Sequence, residues 1–461
     1  MLIPLIVACA LFMENLDSTV LATALPAIAE AFGENPLKMN LAITSYLFSL
    51  AVFIPISGWM ADRHGTRTIF RAAIIVFTLG SILCGLSQSF WELVGARVLQ
   101  GIGGAMMVPV GRLLVVRSVS KAELVRAMAF LTLPALIGPV IGPPLGGFLT
   151  TYLSWRWIFW INVPIGIVGV LLVSLHIPNT RAASTPPLDR LGFLLSSLAL
   201  LGLVFGFETI GRDLLPFWLP PALLLLGGII LWLYLRHAAR VPYPVIDLRL
   251  LQQPTFRICN IGGFLFRIGV GALPFLLPLM LQLGFGLSAF QSGMLTFASA
   301  AGALLMKASA GPILRRFGFR RVLVINAVLS SAFILATGFI RPDMPAWSIL
   351  LQLLFGGFFR SLQFTSITTL SIADFPPERM SAVTSFSSMA QQVSLSCGVA
   401  VGALVLHATV AYKGGASLTP ADFTPAFVFV GLVAMASVFS YRALAPDAGA
   451  EVSGHRLPPP S

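Results

Sequence analysis

Seven ionisable side chains stand inside stretches that are otherwise apolar, and their chemistry sets the first question. Glu14 and Asp17 are three residues apart, so a helix presents them on one face. A carboxyl held away from water is easier to protonate, which suits a proton carrier; the alternative is a charge permanently paired with a nearby arginine. Five basic residues, Arg97, Arg112, Arg267, Lys307 and Arg360, are embedded in the same way. Arg267 and Arg360 fall near the middles of their segments, too deep to reach water easily. Arg112 lies about five residues from a segment end, ~7.5 Å at the helical rise, and Lys307 about seven, so both have room to snorkel. Five bases against two acids is the wrong balance for a site that takes lipophilic cations, which calls for acids and aromatic faces. Guanidinium forks match carboxylates in bidentate pairs. Arg112, Arg267, Lys307 and Arg360 are therefore candidate substrate-binding residues for an anionic cargo, with Arg267 and Arg360 expected to face a central cavity and Arg112 to approach it from the first half.

Two further patterns carry shape rather than charge. In Gly58-Trp-Met-Ala-Asp62-Arg63-His-Gly65-Thr-Arg67, the glycines suit close packing and a left-handed turn, and Asp62 sits at a helix end. An ordinary basic turn explains Arg63 and Arg67 but neither Asp62 nor the glycine spacing, so the loop reads as a conformational latch. In Gly138-Pro-Val-Ile-Gly142-Pro143-Pro-Leu-Gly146-Gly147, Gly138, Gly142 and Gly146 share one helix face and admit a neighbouring helix closely. Pro139, Pro143 and Pro144 bend the same helix. A packing face and a functional hinge remain equally open readings of that segment.

The elements that must position these residues follow from composition. The chain has 461 residues, 57% hydrophobic and 10% charged, with mean hydropathy +0.91. Soluble domains carry about 25% charged residues, so the bilayer is the solvent for most of this chain. Its segments are long and apolar all round, which excludes a β-barrel with its short alternating strands. Apolar runs lie at about 4–29, 38–61, 72–90, 94–116, 127–152, 157–177, 191–211, 216–235, 255–283, 289–314, 322–340, 345–371, 381–408 and 424–444. Fourteen helices put both termini on one side. With the termini inside, nineteen loop and tail bases are internal and five external (Lys38, Arg156, Arg212, Arg341 and Lys413), a clear positive-inside bias. The net charge of +12 thus reads as membrane orientation, since no Lys/Arg run exceeds two and nucleic-acid binding has no aromatic platform. Cys9, Cys84, Cys259 and Cys397 show no paired spacing, so neither a disulfide framework nor a metal site is expected.

The chain repeats itself. Gly311-Pro-Ile-Leu-Arg315-Arg316-Phe-Gly318-Phe-Arg320 echoes the 58–67 loop at an offset of 253 (311 minus 58), and Gly103-Gly104 falls on Gly356-Gly357 at the same offset. Leu25-Pro26 matches Leu277-Pro278 at 252. The expected architecture is all-α and integral to the membrane: two six-helix bundles at 1–177 and 255–445, a linker at 178–254 with two inserted helices, and a cytoplasmic tail at 446–461. Duplicated halves with a site between them are a common plan for secondary transporters.

Here the motifs resemble a known family. The 58–67 loop is similar to motif A of the major facilitator superfamily, and Arg97-Val-Leu-Gln-Gly101-Ile-Gly-Gly104 to motif B of its drug/proton antiporters. The 138–147 segment resembles antiporter motif C. Leu16-Asp17-Ser-Thr-Val-Leu-Ala-Thr-Ala-Leu-Pro26 and Trp155-Arg-Trp-Ile-Phe-Trp-Ile-Asn162-Val-Pro164-Ile-Gly166 resemble the fourteen-helix branch. The resemblance implies a major facilitator fold, alternating access, and export of small molecules, as in multidrug resistance, driven by inward proton flow across a bacterial cytoplasmic (inner) membrane. It implies that Arg97 joins Asp17 and Glu14 in proton coupling, or holds a carboxylate. It also tips the 138–147 segment towards antiport. The chain departs from the pattern where Arg315 replaces the acid of the second motif A copy and Thr66 stands beside Gly65. The expected partners are a small-molecule substrate, protons and membrane lipid, with no nucleic acid and no cofactor, in a monomeric protein.

Other classes fit less well. There is no GxxxxGK[ST] loop for an ATP-driven pump, and His64, His176, His237, His407 and His455 show no HExxH spacing for a metalloenzyme. A channel or sensor would lack substrate-driven proton counterflow in vesicles. Within transport, multidrug export rests on the resemblance, and export of an organic anion, such as a di- or tricarboxylate or its metal chelate, rests on the deep arginines. The topology is open to direct test. Cysteines introduced as Ser184→Cys and Val245→Cys are expected to stay unreachable by an impermeant external label, and labelling of either would refute the orientation or the helix count.

Overall fold

The computed structural model describes residues 2–118, 138, 141–181, 187–209, 216, 218–375, 379–414, 418–453 and 455. The side chains of Arg112 and Lys307 lie outside the described set, as do Pro139, Lys121, Arg126, Arg212 and Arg456 altogether. Every described element is helical. In order they are α1 (Leu2–Phe32), α2 (Asn40–His64), α3 (Thr66–Leu86), α4 (Phe90–Ser118), α5 (141–152), α6 (Trp157–His176), α7 (Arg190–Thr209), α8 (Leu219–Ala238) and α9 (Pro254–Leu279). The run Ala289–Thr337 is broken at Gly318 into α10 before it and α11 after it. Then follow α12 (Ala346–Ala373), α13 (Met380–Tyr412), α14 (Thr424–Arg442) and a short α15 (Ala450–Ser453). Among the described residues eleven helices are long and apolar enough to cross a membrane, with α7 a shorter apolar one. The segment α5 is cut short by undescribed residues, and α12 dilutes its apolar run with Gln352, Arg360 and Gln363. The protein is an all-α, multi-pass membrane protein.

The described chain divides into two compact units, Met1–Ile246 with Leu287–Met294, and Asp247–Gly286 with Leu295–Ser461. Lipid tails are as apolar as leucine, so helices associate in a bilayer through close packing of small residues rather than by escaping water. Both units show this. A side-chain carbon at Gly103 would collide with the Phe77 backbone on α3, and one at Gly104 with the Tyr46 hydroxyl on α2. Their repeat partners behave alike: Gly356 faces Phe333 on α11, and Gly357 faces the Ser299 carbonyl on α10. The glycine pair therefore faces equivalent helices in each unit, in close approach at Gly103, Gly104 and Gly357 and at ordinary contact distance from Phe333 at Gly356. The inserted hairpin is built in the same manner, with Gly202 of α7 against Gly227 of α8. It is tied at its base by His237 Nε2 to Asp189 Oδ1 at 2.7 Å, and it packs on α2 through the Phe53 and Phe193 rings.

Two loops expected from their arginines are tighter than the sequence suggests. Helix α2 runs into α3 through Gly65 alone (φ 97°, ψ 139°), and α10 into α11 through Gly318 (φ 72°, ψ 161°). Arginine is a good helix former and its charge favours a helix C-terminus, so the basic residues extend the helices up to the glycine instead of breaking them. Only the glycines supply the positive φ that the turn needs. Pro26 and Pro278, matched in the repeat, both lie in helical segments; the chain beyond Pro278 leaves the α form for a π turn at Met280–Gly284.

Candidate functional site

Asp17 lies on α1 with 3% of its surface exposed, and Arg97 on α4 with 1%. Arg97 Nη1 donates to Asp17 Oδ2 at 2.6 Å. The other carboxylate oxygen, Oδ1, accepts from Gln100 Nε2 and from Asn162 Nδ2, both at 2.8 Å. Arg97 Nε donates to the Ala42 carbonyl on α2 at 3.1 Å, Nη1 also reaches Gln100 Oε1, and the guanidinium lies 4.3 Å above the Tyr46 ring. Ser81 on α3 accepts from Gln100 at 2.7 Å and from Asn162 at 3.2 Å. Removing an ion pair from water costs several kcal/mol per ion unless the remaining hydrogen-bonding capacity is filled. Here both carboxylate oxygens and the Nε and Nη1 of the guanidinium are met, by groups from five helices.

Helical spacing explains why these residues meet. Gln100 follows Arg97 by three positions, which puts both on one face of α4. Asn162 lies at the start of the second stretch of α6, after the Trp-rich turn. Gln100, Ser81, Asn162 and Tyr46 were not singled out as site residues by the sequence. The i, i+3 step from Arg97 to Gln100 was a usable signal; for Ser81 and Tyr46 none existed, because they are joined to the site only through folding. Glu14 is also buried, one turn before Asp17, and both carboxyls act electrostatically on Tyr46.

Alongside the pair, α1 is clasped by α5. A side-chain carbon at Gly138 would lie 3.1 Å from the Leu16 amide nitrogen, one at Gly142 would strike Thr19 Oγ1, and one at Gly146 would lie 2.7 Å from the Val20 carbonyl and 2.5 Å from Thr23 Oγ1. The four-residue glycine spacing therefore meets one continuous face of α1, the helix that carries Asp17.

The motif A loop is held by the chain beyond α6. Thr66 N donates to the Thr180 carbonyl at 3.0 Å, Arg67 Nη1 to the Ile177 carbonyl at 3.4 Å, and Asn179 fills the space beside Gly65. Asp62 is half-buried at the end of α2, Gly58 lies on α2 one turn before it, and Arg63 stacks over Trp59 at 5.3 Å. The second copy reproduces the device. Arg320, the repeat partner of Arg67 (67 plus 253), donates to the Arg442 carbonyl at the end of α14 at 3.0 Å, and His455 sits beside Gly318.

The basic candidates are dispersed differently. Arg267 on α9 is 2% exposed and lies 5.3 Å above the Phe364 ring of α12; its Nε and Nη1 have no hydrogen-bond partner among the described residues. Arg360, one turn before Phe364, donates to the Ser299 hydroxyl on α10. Among the described residues no group of three or more His, Cys, Asp or Glu side chains gathers that could hold a metal ion.

Residues 7–235 and 259–459 match the sequence profile described as Major Facilitator Superfamily. The MdtD proteins of Salmonella heidelberg and Salmonella typhimurium, named for multidrug resistance, are 42% identical over 403 residues, which is 87% of this chain and 85% of theirs. The crystal structure of a D-xylose–proton symporter is similar with a TM-score of 0.70 at 14% identity, covering 97% of this chain and 98% of that one. The human organic anion transporter MFSD10 (TETRAN) gives 0.64 at 16% identity, covering 95% and 99%. These two show the shared fold.

The cluster makes a stability prediction. Arg97→Gln strands a buried carboxylate and is expected to cost about 3–5 kcal/mol, whereas the Asp17→Asn/Arg97→Gln double variant costs clearly less because no lone charge remains. Thermal unfolding of the purified variants in detergent measures the cycle, and additive losses would show that the two side chains do not depend on each other.

Proposed function

Because the chain belongs to the major facilitator superfamily and is therefore a membrane transporter rather than an enzyme, we propose that it is a proton-coupled exporter of small molecules, of the multidrug-resistance type, working by alternating access with both termini in the cytoplasm. The observation that carries this reading is the buried Asp17–Arg97 pair. A deprotonated Asp17 holds Arg97, and Arg97 holds α2 through the Ala42 carbonyl. When Asp17 takes a proton, its charge is lost, the guanidinium is released, and α1 is freed from α4 while still clasped by the glycines of α5. Binding of a proton and of cargo at different moments of that cycle exchanges one for the other. Glu14, buried on the same helix, is an auxiliary carboxyl, and Gly58, Asp62, Arg63, Gly65 and Arg67 latch the loop that must open and close. Export rather than uptake rests on the drug/proton antiporter motifs and on the names of the MdtD relatives.

Asp17→Asn keeps the size of the side chain and one accepting oxygen, replaces the other acceptor with a donor, and cannot cycle its charge. It is expected to fold and bind cargo yet lose proton-driven transport in vesicles with an imposed pH gradient, while Glu14→Gln loses less. Unchanged gradient-driven transport in Asp17→Asn would remove that residue from coupling.

A second reading of the cargo is favoured by one observation: Arg267 is buried with two nitrogens unsatisfied, and the described hydrogen bond of Arg360 goes to a neutral serine. A buried and a half-buried arginine with no acid paired to them among the described residues suit an anionic cargo, to which Arg112 and Lys307 would add charge. Carboxylate binding is expected to weaken in Arg267→Lys and Arg360→Lys and further in the Gln variants, with neutral dye binding preserved. Binding of dyes but of no carboxylate to the unaltered protein would leave the multidrug reading alone.

A further inference from the structure

The two copies of motif A share a scaffold but differ in charge at its rim. In the first copy, position 68 is a threonine whose amide and hydroxyl both bond to Asn179 at 3.4 and 3.1 Å. Its repeat partner (68 plus 253) is Arg321, which forms no ion pair among the described residues. Arg321 lines a cavity of 520 Å³ together with Arg320, Arg442, His455 and the apolar side chains of Phe317 and Ile325. Arg320 spends one nitrogen on the α14 carbonyl of Arg442, and His455 Nδ1 donates to the Arg315 carbonyl at 3.0 Å. Asp447 and Glu451 follow on the chain between Arg442 and His455, yet no ion pair links either to these arginines among the described residues. Arg320, Arg321 and Arg442 thus line this space, and none of them forms an ion pair among the described residues.

What adjoins that space identifies its occupant. A second cavity, 250 Å³ and almost wholly apolar, shares Phe317, Arg321 and Ile325 with the first and continues past Leu329, Phe358 and Leu362. Ile325 and Leu329 are 58% and 38% exposed on α11, a membrane helix, so this groove opens towards lipid. A basic pocket continuous with an apolar groove along a membrane helix has the shape of an amphiphile, with a phosphate at one end and a hydrocarbon chain at the other. A free phosphate or a soluble anion would use the first cavity and leave the groove without purpose. The charge bias assigns these ends of α10, α11 and α14 to the inside, where basic pockets meet the anionic leaflet.

We propose that this pocket and groove bind one anionic phospholipid, its phosphodiester held by Arg320, Arg321 and Arg442 and one acyl chain lying along Ile325 and Leu329. The lipid fills, in the second unit, the place that the Asn179 clasp fills at position 68 of the first. It thereby ties the α10–α11 turn to the end of α14.

The test uses the full-length purified protein and native mass spectrometry with two lipids of identical chains, dioleoylphosphatidylglycerol and dioleoylphosphatidylcholine. The unaltered protein is expected to retain the glycerol lipid in preference to the choline lipid. Each arginine near an anionic surface contributes about fivefold, so Arg321→Gln with Arg442→Gln is expected to weaken that retention about thirtyfold. Arg321→Lys, which keeps the charge, is expected to retain most of it. Ile325→Ser, on the groove, is expected to weaken retention while leaving the arginines in place, and it keeps the proposal testable if the glutamine variants fail to fold. Equal retention of both lipids, or of the glycerol lipid by the folded glutamine variant, overturns the proposal. Displacement of the lipid by inorganic phosphate alone, with Ile325→Ser without effect, assigns the pocket to a free anion and also overturns it. Because the readout is lipid retention, failure here leaves the transport reading untouched.

Discussion

The interaction on which the first unit depends is an ion pair with no water around it. Asp17 and Arg97 meet at 2.6 Å with about 1% of either side chain exposed. Two charges in such a place need polar partners to offset their lost hydration, and here these are a fixed set: Gln100, Asn162, Ser81, Tyr46 and the Ala42 carbonyl. Each partner comes from a particular helix, so the pair specifies how α1, α2, α3, α4 and α6 are arranged. The same dependence ties the proposed proton coupling to this arrangement, because Asp17 is the only carboxylate that Arg97 meets among the described residues.

A bilayer gives the rest of the packing its character. Close approach replaces the hydrophobic effect as the organising contact, and glycines make close approach possible. Gly138, Gly142 and Gly146 lie against Asn15, Leu16, Thr19, Val20 and Thr23 of α1, so the helix that carries Asp17 is also held by a glycine seam. A glycine seam of this kind offers few side chains to interlock with α1, so the helix is held there by backbone approach rather than by keyed large side chains.

Duplication kept the scaffold and redistributed the charge. Gly65 and Gly318 turn the chain alike, Arg67 and Arg320 reach carbonyls at the ends of α6 and α14, and the paired glycines face equivalent helices. Yet Asp17 corresponds to Gly269 at the 252 offset and Arg97 to Leu350 at 253. The interior of the second unit is instead joined by neutral amides, with Asn326 donating to Gln363 at 2.8 Å, and neither the buried Arg267 nor the half-buried Arg360 forms an ion pair among the described residues. Among the described residues the buried Asp17–Arg97 ion pair thus belongs to the first unit.

Much of this was legible in the residues alone. Apolar length fixes helices because an unsatisfied backbone group in lipid is too costly; the glycine-bearing loop and its echo reveal the duplication; three glycines at four-residue spacing reveal a packing face. Asp17 and Arg97 could be suspected because charge in hydrocarbon is expensive and persists only for a reason. What the sequence could not supply was the pairing itself. Residues 80 positions apart on different helices become neighbours only when α1 crosses α4, and serine at 81 or tyrosine at 46 looks ordinary until that crossing places it beside a carboxylate or a guanidinium. Arg320, Arg321 and Arg442 likewise read as topological charges along the chain. The tertiary structure gathers them into one pocket, because local spacing governs only which face of a helix a residue occupies, and the fold decides what that face meets.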